Sequence, residues 1–325
     1  MNTKWVGQVL ILVLFLTLVG CTQNDLQFEE NKVIETDKSM DEVSYGAMSD
    51  LHGEVDKARI AAKLLKDRGI KGIIIAGDIS CNEEISNRCH KDSPDQIEIE
   101  RTLEAVAQTG LPIFVIPGNH EEVSVYDKAL ATIRSKYPKV IDMTEYRIFD
   151  GNVVDFLSLP GYSIKTSPIT YEDPQVPGDI ITTSLILMPK DGFHITSDEF
   201  RRTENMSRTV NSPLVLITHG PGKIIGDSTP GMTFEGKDEG DQRITKLMQK
   251  NNISFAIVGH IHEAGGIATT LNGTRVKPGE WSSQFMLNVG TLENWKYSDG
   301  EVRKGMIQIV TFKGNQAKYE TITLE

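Results

Sequence analysis

The sequence predicts an α/β fold, because short apolar runs alternate with amphipathic segments through its first half. The run Ile73–Ala76 is typical of a strand buried on both faces of a parallel or mixed sheet. Between residues 43 and 116 the order is strand, helix, strand, helix, strand, which indicates α/β crossovers. With 325 residues, 39% of them hydrophobic, the chain is long enough for one large domain or two modest ones.

Each element has its own local signal. Residues 54–68 carry apolar side chains at helical spacing and stop at Gly69, and Asp150-Gly151 indicates a hairpin turn. The predicted helices are 54–68, 96–108 and 128–136. The predicted strands are 43–49, Ile73–Ala76, Ile113–Ile116, 147–149, 153–159, Leu214–Thr218, Phe255–Val258, 284–289, 306–312 and 319–324. Residues 162–212 mix prolines and threonines, so they form either an irregular excursion or a cap over the substrate.

The amino terminus is predicted to lie outside the fold. Lys4 precedes an apolar run at residues 9–19, which is too short to span a bilayer but typical of a signal-peptide core. The run ends in Leu18-Val19-Gly20-Cys21, which resembles a bacterial lipobox; the alternative is a plain signal peptide with a chance cysteine. We therefore expect a signal peptide at 1–20, an acidic tether at 21–42 and a folded domain at 43–325, exported and anchored through lipid on Cys21 to a bacterial membrane, on its periplasmic or outer face.

Charge and cysteine content restrict the partners and the compartment. The net charge of −11 disfavours broad nucleic-acid binding, because an acidic surface repels phosphate backbones. Cys81 and Cys89 are predicted to form a disulfide in an oxidising compartment. A metal-ligand role for them is disfavoured because they lack a paired Cys-x-x-Cys motif.

Polar side chains of metal-ligand type follow five of the predicted strands. Of seven histidines in the chain, five lie at these strand ends. The strand-end residues are Asp50 and His52, Asp78, Asn119 and His120, His219, and His260 and His262. A Gly-Asp pair alone is usually a turn. Residues i and i+2 of an extended strand point to the same side, so Asp50 with His52, and His260 with His262, can each direct two ligands into one pocket.

Together, the motifs resemble those of the calcineurin-like metallophosphoesterase superfamily. They are Asp50-x-His52, Gly77-Asp78, Gly118-Asn119-His120-Glu121, the lone His219 and Gly259-His260-Ile261-His262. The resemblance implies one catalytic domain in which mixed β-sheets pack as a sandwich flanked by helices. It also implies that Asp50, His52 and His262 hold one metal, that Asn119, His219 and His260 hold a second, and that Asp78 bridges both.

The same resemblance implies the chemistry. Two divalent or trivalent ions (Mn, Fe or Zn) would clamp phosphoryl oxygens and activate water, with His120 as general acid. Glu121 would either orient His120 or be a plain surface acid. Cys81 stands where purple acid phosphatases have a tyrosine, and no arginine follows Gly77-Asp78 until Arg88, so neither a tyrosinate site nor a fixed guanidinium clamp is expected. Asn288-Val289-Gly290-Thr291 is interpreted as structural, with Gly290 allowing close backbone approach.

The predicted function is therefore a metal-dependent hydrolase of phosphate esters, acting on monoesters or diesters. Two alternatives remain: a non-catalytic metal-binding module of the cell envelope, and a nuclease or cyclic-nucleotide phosphodiesterase. Substrate preference is expected to depend on residues 162–212 and 221–241, which flank the strand ends.

Overall fold

The computed structural model describes residues 33–34, 42–81, 95–151, 153–162, 168–172, 180–184, 191–210, 213–297 and 299–325; for 33–34, 168–172 and 180–184 it describes the backbone alone. The strands are β1 (Val33–Ile34), β2 (Val43–Met48), β3 (Ile73–Ala76), β4 (Ile113–Ile116), β5 (Val140–Asp142), β6 (Ile148–Phe149), β7 (Asp155–Leu159), β8 (Pro168–Glu172), β9 (Ile180–Ser184), β10 (Leu214–Thr218), β11 (Phe255–Val258), β12 (Ala268–Thr269), β13 (Arg275–Val276), β14 (Phe285–Asn288), β15 (Trp295–Lys296), β16 (Val302–Arg303), β17 (Met306–Lys313) and β18 (Gln316–Thr323). The helices are α1 (Val55–Asp67), α2 (Asp95–Ala107), α3 (Val123–Lys136), α4 (Ser197–Ser207) and α5 (Gln242–Lys250), with a 3-10 turn at His262–Ala264.

Two large mixed sheets form the centre of the fold. The first has the order β18-β17-β2-β3-β4-β5, in which β2 to β5 run parallel and β17 is antiparallel to both of its neighbours. The second has the order β1-β6-β7-β10-β11-β14-β12-β13, with β7, β10, β11 and β14 parallel. Smaller two-stranded sheets pair β8 with β9 and β15 with β16.

The two sheets pack face to face, and helices cover their outer faces. Alternation along β3 shows this directly: Ile73 and Ile75 pack among residues of α1, α2 and α3, whereas Ile74 and Ala76 pack against the second sheet. On the outer face of the second sheet, Leu216 packs with residues of α4 and α5. Each fully buried isoleucine contributes about 1.5–3 kcal/mol to folding. The predicted sandwich of mixed sheets flanked by helices, in a single domain, is therefore confirmed.

The predicted elements agree closely where apolar runs are short and buried. Strands β3, β4, β10 and β11 have the predicted bounds, and the hairpin at Asp150-Gly151 is the antiparallel pair β6–β7. Helix α3 begins five residues earlier than predicted, because its first turn, which contains weak helix formers, is held by the burial of Tyr126 and the packing of Val125 against the same core. Helices α4 and α5 and strand β5 were not predicted; α4 lies inside the segment 162–212, together with the hairpin β8–β9.

The described part of the amino-terminal region is short. The compact unit that contains all of the described residues spans Asn31–Glu325. Strand β1 lies within the predicted tether, and it pairs in parallel with β6 through Val33–Ile148 and Ile34–Phe149. The predicted signal peptide and Cys21 lie outside the described residues. Within the described part, none of the helices has both the length and the apolar character needed to cross a bilayer.

Candidate metal centre

The predicted site residues converge at one end of the sandwich. Parallel strands from both sheets end there, and ligands of α/β sheets bind at such carboxyl ends. A hydrogen bond of 2.8 Å between Nδ1 of His219, after β10, and the carbonyl of Ala76, at the end of β3, joins the two sheets at this point. All seven predicted metal ligands and His120 follow strand ends that meet here.

The backbone at these strand ends is left-handed rather than extended. Among the described residues, five other than glycine have positive φ, and four of them are site residues: Asp50 (52°), His52 (43°), Asp78 (50°) and His260 (68°). Such conformations cost about 1–3 kcal/mol each and concentrate at functional sites. Asp50 with His52, and His260 with His262, were expected to converge as alternate residues of extended strands. The backbone there is not extended, so this reason was wrong. The pairs converge because tight turns follow the strands.

Asp50, His52 and His262 form a first group, termed the Asp50 cluster. One potential ligand atom from each lies within 4.8 Å of the other two. Nε2 of His262 is 3.1 Å from Oδ1 of Asp50 and 3.3 Å from Nε2 of His52. The backbone N–H of His260 donates to the Asp50 carboxylate at 3.0 Å, so the Gly-His-x-His turn is fixed against the end of β2.

Asp78, Asn119, His219 and His260 form a second group, termed the Asp78 cluster. Potential ligand atoms of Asp78, His219 and His260 lie within 4.8 Å of one another. Oδ1 of Asn119 is 2.9 Å from Nε2 of His219 and 2.8 Å from Nδ1 of His260. Oδ2 of Asp78 is 3.1 Å from Nε2 of His219, which is fully buried. The two clusters contain the two ligand sets implied by the sequence resemblance.

Asp78 is oriented by the turn that follows β4. Its Oδ1 accepts hydrogen bonds from the backbone N–H groups of Asn119 (2.8 Å) and His120 (3.0 Å), which leaves Oδ2 facing His219. A Cβ at Gly118 would lie 2.1 Å from Oδ1 of Asp78, so this approach requires glycine. The backbone carbonyl of Asp78 accepts the N–H of His52 at 3.1 Å, so the turn that carries Asp78 also adjoins the Asp50 cluster.

Glu121 braces the two turns of the first sheet. Its carboxylate accepts backbone hydrogen bonds from Gly118 (2.6 Å), Ile79 (2.8 Å), Ser80 (3.1 Å) and Asp78 (3.2 Å). Burial, followed by the nearby charge of Asp78, raises the pKa of Glu121 to about 7. Because the side chain is 1% exposed, the interpretation of Glu121 as a surface acid was wrong. Its described contacts fix the loop that carries Asp78.

Asn288 holds the turn after β11 in the second sheet and Thr291 the turn after β2 in the first, as the structural interpretation of this motif predicted. Nδ2 of Asn288 donates to the carbonyls of Gly259 (3.1 Å) and Ile261 (2.9 Å), on either side of His260. The hydroxyl of Thr291 donates to the carbonyl of Asp50 at 2.8 Å. Gly290 has φ +81°, and a Cβ there would lie 2.6 Å from Met306, which confirms the close approach.

The buried carboxylates of Asp50 and Asp78 favour positive charge on the groups that face them. Burial disfavours the charged imidazolium of His219, but Asp78 outweighs it and raises the pKa of His219 to about 9. Burial likewise opposes protonation of His262, and Asp50 nevertheless raises its pKa. Burial by itself would raise the pKa values of Asp50 and Asp78. The neighbouring histidines outweigh burial and hold both pKa values below the usual range. Burial lowers the pKa of His52 and of His260 to about 3, so these rings are neutral donors.

This donor set fits a pair of metal ions. Each cluster combines a carboxylate with imidazole nitrogens at separations that one cation, about 2.1 Å from each donor, can span. His219 donates Nδ1–H to Ala76, so Nε2 is the atom that can bind a metal, once the metal displaces the Nε2 proton that Asp78 stabilises. Mixed oxygen and nitrogen donors of this kind suit Mn²⁺, Fe or Zn²⁺ better than Ca²⁺.

His120 lies beside the clusters. Its Nε2 is 3.8 Å from Oδ2 of Asp78, and its ring packs edge-on against His52 with centroids 4.8 Å apart. Burial lowers the pKa of His120 despite the attraction of Asp78. The ring therefore lies next to the candidate metal ligands.

Three residues next to the histidines were not singled out by the sequence. The ring of Tyr162 packs on His260 with centroids 4.2 Å apart, and that of Trp295 contacts His262 edge-on at 4.5 Å. Oε2 of Glu293 is 3.9 Å from Nε2 of His52 and 3.8 Å from Nδ1 of His262. Glu293 follows Asn288-Val289-Gly290-Thr291 by two positions, which is the one sequence signal that could have indicated it.

The cysteines bear on the site through Cys81. Its sulfur lies within 4.8 Å of potential ligand atoms of His52 and His120. Cys81 is disulfide-bonded, so it offers no thiolate to a metal in this state. Cys89, its predicted partner, lies outside the described residues.

Comparison with known proteins identifies the family. The model of the calcineurin-like phosphoesterase family matches residues 44–264, which is more than half of the 325-residue chain. The chain belongs to the calcineurin-like phosphoesterase family. As a calcineurin-like phosphoesterase it is a hydrolase of phosphate esters, and the two clusters are its candidate metal-binding residues.

Solved structures support the fold of this calcineurin-like phosphoesterase. The protein TT1561 of Thermus thermophilus is 12% identical, with a TM-score of 0.53 over 87% of this chain and 99% of that one. A dimetal phosphatase from Danio rerio is 13% identical, with a TM-score of 0.50 over 87% of this chain and 99% of that one. A sequence search of curated proteins gave no significant match.

Proposed function

We propose that this calcineurin-like phosphoesterase is a binuclear metal-dependent hydrolase that uses His120 as general acid. The observation that carries the proposal is the position of Asp78 next to both clusters: its Oδ2 is 3.1 Å from Nε2 of His219, and its backbone carbonyl accepts the N–H of His52 at 3.1 Å. Nε2 of His120 lies 3.8 Å from the same Oδ2. The Asp50 cluster would hold one ion and the Asp78 cluster the other, with Asp78 shared between them. The name of the Danio rerio relative, a dimetal phosphatase, is in keeping with two ions.

When bound, the two ions supply Lewis-acid charge that polarises phosphoryl oxygens and acidifies the attacking water. The protein supplies position and a proton. His120 would donate the proton of Nε2 to the leaving oxygen of the ester. Burial keeps this ring neutral in the free protein, and the negative charge of a bound phosphate ester favours uptake of the proton that it then donates.

Substrate preference would depend on segments beside the strand ends. Residues 221–241 are tied to the Gly-His-x-His turn, because Asn288 donates to the carbonyl of Pro230 at 2.9 Å and Phe234 N–H donates to Glu263 at 3.2 Å. Phe234 is half exposed at this edge. We propose that this segment, with residues 162–212, decides between monoesters and diesters.

The test begins with metal-free protein that lacks residues 1–31. Addition of Mn²⁺ should restore hydrolysis of 4-nitrophenyl phosphate or bis(4-nitrophenyl) phosphate, and a chelator should abolish it. His120→Asn should lower kcat by about 10²–10⁴-fold while two equivalents of metal remain bound. Absence of turnover by the metal-loaded protein on both substrates and on a wider ester panel would reject catalysis.

The same panel addresses the alternative functions. Nucleotides, cyclic nucleotides and polynucleotides assayed beside the simple esters would show whether the chain is a phosphodiesterase of that narrower kind or a nuclease. A non-catalytic envelope module predicts instead a crosslinked partner whose capture is unaffected by His120→Ala.

We further propose that the protein is exported and anchored to a bacterial membrane by lipid on Cys21, on the basis of the lipobox-like segment ending there. In cells, the full-length chain should fractionate with membranes, and mass spectrometry should find an acylated amino-terminal cysteine. Cys21→Ser should prevent acylation, and acylation that persists in this variant would reject the anchor.

A further inference from the structure

The loop after β14 places the carboxylate of Glu293 beside the candidate metal centre. Hydrogen bonds hold this loop before and after Glu293. The N–H of Glu293 donates to the hydroxyl of Thr291 at 3.0 Å. Nζ of Lys57, on α1, donates to the carbonyl of Leu292 at 2.9 Å and to Oδ1 of Asn294 at 3.1 Å. The residues flanking Glu293 are therefore fixed to a helix of the first sheet, and this attachment holds the carboxylate of Glu293 beside the centre.

The carboxylate of Glu293 faces the back of a candidate metal ligand. Its Oε2 is 3.8 Å from Nδ1 of His262, whose Nε2 points to Asp50 at 3.1 Å. Within the part of the chain that the structure describes, Nδ1 of His262 is buried and has no hydrogen-bond partner. Trp295 contacts the same ring edge-on and limits its rotation.

His219 shows what such a ring requires. Its Nδ1–H donates to the Ala76 carbonyl at 2.8 Å, which fixes the tautomer and the direction of Nε2. His262 lacks a backbone carbonyl in that position among the described residues, and the oxygen nearest to its Nδ1 in an ion-pair geometry belongs to Glu293. A shift of about 1 Å would bring the two atoms to hydrogen-bond distance, and such bonds often tighten only in the loaded site.

We propose that Glu293 is a positioning residue of the metal centre: its carboxylate accepts a hydrogen bond from Nδ1–H of His262 and thereby directs Nε2 of that ring at the metal of the Asp50 cluster. The inference rests on the proposed function, because it presupposes that the Asp50 cluster binds metal. The carboxylate acts through His262, not on the substrate.

The test measures metal binding rather than turnover. Zn²⁺ is titrated calorimetrically into metal-free wild-type protein, Glu293→Ala and Glu293→Gln. Loss of an outer hydrogen-bond partner costs about 10–100-fold in metal affinity, so Glu293→Ala should weaken the weaker of two Zn²⁺ equivalents by that factor. Glu293→Gln keeps an acceptor oxygen and should lose less. Glu301→Ala, which changes an exposed acid on the adjoining β15–β16 hairpin, is the control and should bind like wild type.

A second readout separates positioning from a loss of packing. In the Zn²⁺-loaded protein, NMR of labelled histidine should show a protected Nδ1–H resonance of His262, retained in Glu293→Gln and lost in Glu293→Ala. Unchanged Zn²⁺ affinity in Glu293→Ala, or an unchanged His262 resonance, would overturn the inference alone. Failure of wild-type protein to bind Zn²⁺ would overturn the proposed function and the inference with it.

Discussion

The two clusters use similar donors but differ in how firmly the protein holds them. In the Asp78 cluster, His219 is fully buried, its Nδ1 is bound to Ala76 at 2.8 Å, and Oδ1 of Asp78 accepts two backbone N–H groups. In the Asp50 cluster, the side chain of His262 is 12% exposed, and among the described residues neither His52 nor His262 has a hydrogen-bond partner at Nδ1. Because a prearranged ligand loses less entropy on binding, we expect the Asp78 cluster to bind its metal more tightly.

Removing Asp78, the carboxylate that we propose both clusters share, should disable both clusters and so abolish the difference in metal affinity between them. Asp78→Ala should lower kcat about 1,000-fold or more, because two-metal stabilisation of the transition state is worth several kcal/mol. Steady-state kinetics with metal analysis of the same sample would measure it. Retention of two equivalents of metal in this variant would show that Asp78 is not shared.

Single histidine substitutions should reveal the order of the two sites. His262→Ala should lose one equivalent of metal and keep the tighter one during dialysis against a weak chelator. The matched His219→Ala, which removes a ligand of the Asp78 cluster, should leave only the weakly held metal, which the same dialysis removes. Elemental analysis after graded dialysis measures both, and equal retention by the two variants would contradict the ranking.

The brace under Asp78 should contribute to folding before any metal binds. Glu121→Ala leaves four buried backbone N–H groups without their acceptor, and we expect a loss of about 3 kcal/mol in the free energy of unfolding. Urea denaturation of metal-free protein would measure it. Glu122→Ala, at the partly exposed neighbouring position, should change stability by about 0.5 kcal/mol or less.

The smallest effect on metal affinity is expected from Lys57, which holds the loop beside the Asp50 cluster. Lys57→Met removes two hydrogen bonds to the loop that carries Glu293 but keeps the aliphatic stem on α1. Since a net hydrogen bond is worth about 0.5–1.5 kcal/mol, affinity for the weaker metal should fall about threefold. Calorimetry on Lys57→Met beside Lys63→Met, an exposed lysine of the same helix, would detect it. If Lys57→Met instead lowered the affinity for the more tightly bound metal, Lys57 would not support the Asp50 cluster and the prediction would be contradicted.

The elements that could be predicted best from the sequence are those whose side chains differ clearly with burial. The runs at Ile73–Ala76 and Leu214–Thr218 are apolar on nearly every residue, which is typical of a strand buried on both faces, and their bounds were predicted without error. The site residues of the centre were indicated because histidines and carboxylates recurred after such runs. The sequence could thus indicate which side chains share the site before any geometry was known.

What the sequence could not indicate depends on contacts distant in the chain. Glu293 lies near His52 only because Thr291 and Lys57 fix a loop more than two hundred residues away from both β2 and α1. Tyr162 follows no motif, and its backbone is held beside His260 by hydrogen bonds to Phe193 and Ile195, about thirty residues later in the chain. The helix α4 was hidden because its residues are mostly polar and its apolar contacts, such as Met206, are few.

The left-handed turns at Asp50, His52, Asp78 and His260 have a consequence for variation of this protein. Each turn is completed within a few residues of its strand, and it is held by other residues of the site, such as Glu121 at Asp78 and Thr291 at Asp50. The connections between strands can then change in length and composition without redirecting a ligand. New substrate preferences would accordingly be sought by replacing whole connecting segments while the strands and their turns are kept unchanged.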